Sequence, residues 1–182
     1  MKYLFFLIFL INISNIKAQN VKNTSYTNQA GEKVLRLEVI LPVDKNDVWQ
    51  LFATDEGLQK WIAPLVHIEL KNGGYILSNY DKTKSLSDSS SIKLNIINYL
   101  EKELITLKVN LNNHFSKSVQ NEDENLQEII QFESVGPKMT KITSSMIGWG
   151  QGEDWFKTYN FFEMGNIYTY EELINSLKKN KK

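Results

Sequence analysis

The chain has 182 residues and no cysteine, and its 21 basic and 21 acidic side chains cancel. That balance excludes the concentrated basic surface that nucleic-acid phosphates require, and the lack of cysteine excludes disulfides, thiolate metal sites and thioether lipid attachment. Hydrophobic residues make up 42% of the chain, enough for a domain of this size to fold by burial alone.

In chain order, Met1 to Ala18 reads as an export signal: Lys2 precedes an apolar run from Tyr3 to Ile13, and a short polar stretch ends in the small residue Ala18. The run is shorter than the roughly 20 apolar residues a membrane-crossing helix needs. The expected organisation is a signal peptide over 1–18, a polar lead-in over 19–32 and one domain over 33–182. A periplasmic or secreted destination follows, with no stable membrane insertion after the leader is removed and no nucleic-acid partner. Losing Lys2 and Lys17 leaves the mature form weakly acidic.

A first strand is expected over Val34–Val43, where apolar and polar residues alternate until Pro42 removes a ladder donor. Asp44 is placed to cap a helix whose apolar face carries Val48, Trp49, Leu51 and Phe52. Thr54 opens a second short helix with Leu58, Trp61 and Ile62 at three- and four-residue spacing, and Pro64 ends it. The period then becomes extended, with His67–Leu70 and Tyr75–Tyr80 forming a hairpin turned at Gly73 and Gly74. Beyond a polar loop, strands are expected over Ile92–Tyr99, Leu104–Leu111, Leu126–Val135 and Lys141–Ile147, with a long polar stretch, Asn112–Asn125, between the second and third. Such short successive runs leave no room for crossover helices, so the sheet is an antiparallel meander. A helical period returns from Trp155 to Leu177, with a bend or break expected at Gly165, and this segment is long enough to cover one face of the sheet.

Chemistry-bearing motifs are sparse. His67 and His114 fall in different elements, and no metal-ligand spacing forms around them. Ser144 and Ser145 follow a strand pattern rather than a nucleophile elbow. The segment GWGQG, Gly148–Gly152, has neither the ending of a P-loop nor the spacing of a dinucleotide fingerprint and reads as a turn into the last helix. Asp55 with Glu56, and Glu153 with Asp154, stand at helix starts where negative charge is favoured. No catalytic residue, metal or cofactor is expected from these patterns.

Three segments carry a family resemblance: VWQLFATDEGLQKWIAP from Val48 to Pro64, NGG from Asn72 to Gly74, and IGWGQGEDWFKTYNFF from Ile147 to Phe162. In this order they resemble the START-like, or polyketide cyclase-like (SRPBCC), superfamily, and within it the family named after the activator of heat-shock protein 90 ATPase homologues. The resemblance implies an α+β helix-grip fold: a curved antiparallel sheet of about seven strands wrapped on a long C-terminal helix, with two short helices after the first strand. It also implies a cavity between sheet and helix, and no shared catalytic set. The cavity candidates are Trp61, His67, Tyr75, Leu77, Met146, Trp149 and Tyr159. Trp155, Tyr159 and Phe162 share one side of the last helix, with Phe162 read as core and Tyr159 as cavity wall. The function expected is binding of a small hydrophobic or amphipathic molecule outside the cytoplasm. The alternatives are an envelope protein-interaction or stress module, and a cyclase, dehydratase or hydrolase-type enzyme using the same cavity.

Overall fold

The computed structural model describes residues 21–179; the expected leader lies outside them. In chain order the elements are β1 (Lys22–Asn23), β2 (Tyr26–Thr27), β3 (Lys33–Leu41), α1 (Lys45–Ala53), α2 (Asp55–Leu58), β4 (Leu65–Glu69), β5 (Tyr75–Asn79), β6 (Ile92–Leu100), β7 (Leu104–Lys108), α3 (Lys117–Glu122), β8 (Gln127–Gly136), β9 (Met139–Ile147) and α4 (Glu153–Lys179). The strands form one antiparallel sheet in the order β1-β3-β9-β8-β7-β6-β5-β4, with β2 also paired to β3. This is the curved sheet wrapped on a long terminal helix, with two short helices after the first long strand, that the helix-grip fold requires.

Local chemistry sets the helix starts. The Asp44 carboxylate accepts from the N–H groups of Asn46 and Asp47 and opens α1. Thr54 serves both short helices: its hydroxyl donates to the Gln50 carbonyl at 2.8 Å and accepts from the Gly57 N–H at 3.0 Å. Ser116 opens α3, an element absent from the sequence reading because it is only six residues long and buries Val119 alone. Helix α4 runs unbroken through Gly165, so of the expected bend or break the break does not occur. A single glycine costs a helix only about 1 kcal/mol, too little to break one of 27 residues anchored on both sides.

The stretch read as a polar lead-in contributes to the sheet. Lys22 and Asn23 pair with Glu38 and Leu37, and Tyr26 and Thr27 pair with Val34 and Lys33. Two residues each are too few to show an alternation, so these strands leave no periodic trace.

Strand alternation sends Leu35, Leu37, Val39 and Leu41 of β3 into the core, facing Ile142 and Met146 of β9 across the register. At one end of the concave face the filling is complete. There Phe132 of β8 meets Trp49 and Phe52 of α1 edge-on, with ring centroids 5.4 and 4.9 Å apart. Leu173 and Ile174 of α4 are buried in the same core.

Candidate functional site

Toward the other end the filling stops, leaving a cavity of about 360 Å³ between the sheet and α4. Five strands supply one wall, through Ile76, Leu94, Leu107, Ile130 and Met146. Helix α4 supplies the other, through Phe162, Gly165, Asn166 and Tyr170, and Trp61 joins it from the turn after α2. Trp61 is held by its indole N–H, which donates to the Leu51 carbonyl at 2.8 Å, and by ring contacts with Phe52 and Tyr170. Phe162 stacks on Phe115 from the polar stretch before α3, with centroids 5.4 Å apart. Tyr80 and Phe161 line the cavity yet are 61% and 55% exposed, so they border its mouth.

Gly165 contributes by what it lacks. A Cβ built there would meet nothing within 4 Å, although the residue lies inside α4 and lines the cavity. Alanine would stabilise a helix interior by about 1 kcal/mol relative to glycine, and here it would also take up cavity space.

One ionisable acid lies in this apolar chamber. Glu128 sits near the start of β8, flanked in register by Leu107 of β7 and Met146 of β9. Its Oε1 accepts from the Ser144 hydroxyl at 2.6 Å and from the Tyr170 hydroxyl at 3.2 Å. Burial pushes the carboxyl above the ordinary carboxylate range, and the two hydroxyl donors oppose this without cancelling it. Burial, with the carboxylate beside it, holds the Tyr170 hydroxyl well above the usual phenol range.

A pH dependence of stability follows. The folded protein keeps the Glu128 proton to a higher pH than the unfolded chain does, so this group's contribution to stability declines as pH rises past the ordinary glutamate value. Glu128→Gln, which does not titrate, should be more stable than the wild type at pH 8. The advantage should vanish below about pH 4, where the unfolded-state acid is itself protonated. Thermal unfolding at the two pH values reads the difference, at about 2–4 °C per kcal/mol for a domain of this size. A wild type that gains on the variant as pH rises would contradict the assignment.

Of the seven residues singled out from sequence, the structure brings two together at this cavity, Trp61 and Met146. His67, Tyr75 and Leu77 occupy strand positions that alternate with cavity-side Ile76 and Ser78 or with buried Val66 and Ile68, which puts them on the opposite face. There His67 pairs with Leu77 in register, and Tyr75 packs against the His67 ring and the Lys93 ammonium. His67 Nδ1 lies 3.0 Å from Asp55 Oδ2, while Asp55 Oδ1 accepts from the Ile68 N–H at 2.7 Å. Burial works against the Asp55 charge, but the bonds from His67 and Ile68 prevail and hold its carboxyl below the usual range. Asp55 thus ties the start of α2 to β4 as well as carrying charge at a helix start.

Trp149 and Tyr159 line a separate depression at the start of α4, where the Lys33 ammonium lies 5.3 Å from the Phe156 ring centre and 5.4 Å from that of Tyr159. Trp149 backs onto Phe162 from outside, with centroids 6.0 Å apart. Phe162, read as core, stands at the cavity, and Tyr159 does not.

Glu128, Ser144, Tyr170 and Gly165 were missed as site residues. A signal existed for the first: Glu128 is in phase with Leu126, Ile130 and Phe132, the buried positions of its stretch, so the alternation sends an acid inward. Among the described residues there is no cluster of three or more His, Cys, Asp or Glu side chains able to hold a metal ion, and no helix long and apolar enough to cross a membrane.

No family model matches the chain, and no curated protein matches it in sequence. Solved structures do. Protein MLL2253 from Mesorhizobium loti is similar with a TM-score of 0.62 at 12% identity, over 80% of this chain and 97% of that one. Protein NE0264 from Nitrosomonas europaea is similar with a TM-score of 0.55 at 18% identity, over 81% and 96%. The Aha1 dimer from Colwellia psychrerythraea is similar with a TM-score of 0.52 at 13% identity, over 74% and 92%. At these identities the likeness is one of fold. The chain has the helix-grip fold of SRPBCC proteins, with an Aha1-like structure among its distant neighbours.

Proposed function

We propose that this protein binds a small hydrophobic or amphipathic molecule in the cavity between sheet and α4, and does so outside the cytoplasm. The observation that carries the reading is the cavity itself: an apolar chamber with a few convergent polar groups, the usual construction of a small-molecule site. Gly165 supports it, since the helix forgoes a stabilising side chain where that side chain would fill the space. The leader-like segment Met1–Ala18 supports the export half.

One experiment addresses both halves. Native mass spectrometry of the protein recovered from the cell envelope or medium of its host should give a chain starting at or near Gln19, carrying a bound small molecule. Gly165→Leu should keep the fold, with an unchanged or higher melting temperature, and lose that molecule. Retention of the molecule by this variant would rule out the cavity as its site, and recovery of the protein only from the cytoplasmic fraction, with Met1 intact, would rule out export.

Glu128 favours a second reading, an enzyme using the same cavity, because displaced carboxyl groups in clefts serve acid–base chemistry. The same spectra separate the two. An enzyme would leave different small-molecule masses in the wild type and in Glu128→Gln, whereas a binding protein holds the same molecule in both or loses it in the variant.

A further inference from the structure

We infer that the molecule held in this cavity is an amphiphile with a protonated amine at its polar end, and that Glu128 receives the amine. The inference rests on the ligand-binding reading of the same cavity and narrows its ligand to one chemical class.

Only one oxygen of Glu128 is engaged by the protein. Ser144 and Tyr170 both donate to Oε1, and Oε2 has no hydrogen-bond partner among the described residues. Neither does a cation reach the carboxylate: no salt bridge among the described residues involves Glu128, and no Lys, Arg or His lines the cavity. Once an apolar tail has displaced water from the cavity, an acid in this setting has two ways to avoid an uncompensated charge. It stays protonated, or an occupant supplies the missing positive charge.

Of the other polar groups, two on α4 are already engaged, while the Ser78 and Tyr80 hydroxyls are neutral and offer a ligand no charge. The Asn166 amide donates to Met146 Sδ at 3.1 Å, and the Thr169 hydroxyl donates to the Gly165 carbonyl at 2.8 Å. The chamber therefore offers its strongest contact to a donor. Against the ionised acid a ligand carboxylate would meet a like charge, and a neutral hydroxyl would satisfy a lone pair while leaving the charge uncompensated. An ammonium does both tasks, through a charge-assisted bond that is about twice as strong as a neutral one. The aromatic faces of Tyr80 and Phe161 at the mouth also suit the passage of a cation, since ring faces attract positive charge.

Calorimetric titration of the protein with n-octylamine, 1-octanol and octanoate at pH 7 tests the assignment, because the three probes share one tail and differ in the head. Octylamine should bind tighter than octanol by about tenfold or more, the value of one charge-assisted bond, and octanoate should bind weakest. In Glu128→Gln the octylamine affinity should fall to the octanol level, with octanol itself changed by no more than about twofold. The melting temperature of that variant reports separately that it folds.

Octanol binding as well as octylamine in the wild type would overturn the amine inference and leave the cavity reading intact. An octylamine preference that persists in Glu128→Gln would likewise overturn it. Failure of all three probes to bind the wild type would overturn the cavity reading, and the inference with it.

Discussion

Gly148→Ala should destabilise the protein by more than about 4 kcal/mol, a loss beyond the usual range for one substitution and comparable with the whole stability of many domains. Gly148 joins β9 to the approach to α4 with φ at 86°, a left-handed conformation that costs a side-chain-bearing residue roughly 1–2 kcal/mol. The larger part is steric. A Cβ there would lie 2.0 Å from the Asn125 carbonyl oxygen and 2.9 Å from the Leu126 nitrogen, and backbone at the entry to β8 has no rotamer with which to give way. Gly152→Ala is the matched control, since its φ is 96° but a Cβ would meet nothing within 4 Å. Urea unfolding should show only the conformational cost at Gly152 and the full loss at Gly148, with insoluble expression as an equivalent result for the latter. Equal midpoints for the two variants would show that the close approach to Asn125 is not what the position requires.

Phe132→Ala should cost about 3–5 kcal/mol, the usual range for emptying a packed aromatic site. Phe132 is buried at the closed end of the concave face, and its ring meets Trp49 and Phe52 edge-on, so truncation removes two aromatic pairs along with the buried area. Phe162→Ala is the informative comparison. Its ring meets Phe115, Phe161 and Trp149, but it is only partly buried and borders space that is already empty, so less buried area is lost and the penalty should be smaller, the change appearing instead in ligand affinity. At about 2–4 °C per kcal/mol, thermal unfolding resolves the difference easily. A larger drop for Phe162→Ala than for Phe132→Ala would refute the division of the core into a filled end and an open end.

The helix-grip architecture was legible because its long elements repeat their periods clearly. The alternation Leu35, Leu37, Val39, Leu41 and the caps Asp44 and Thr54 announce β3, α1 and α2 before any coordinates. The two-residue strands and α3 were not legible, because their evidence is pairing and capping rather than pattern. The cavity was harder to read than the fold. An amphipathic helix reports which side faces inward, but not whether the inward space is filled, and so the aromatic residues of α4 could not be divided between core and wall. Tyr75, Leu77 and His67 entered the candidate set by chemical character. Their strand phase, opposite to Ile76 and Val66, assigns them to the far face. Glu128 shows the converse, since its phase pointed inward while its charge suggested a surface residue.

The two short N-terminal strands cover one edge of the sheet. β3 pairs with β9 on one side, and on the other its open donors and acceptors between Lys33 and Glu38 are occupied by Lys22–Asn23 and Tyr26–Thr27. An uncovered sheet edge is a template for another chain's strand. Trimming the chain past Thr27 would remove Val21 from the edge of the core and leave that side of β3 open to pairing with a second molecule, which size-exclusion chromatography would show as a larger species. The lead-in, read from sequence as a polar stretch alone, closes most of that edge of the sheet.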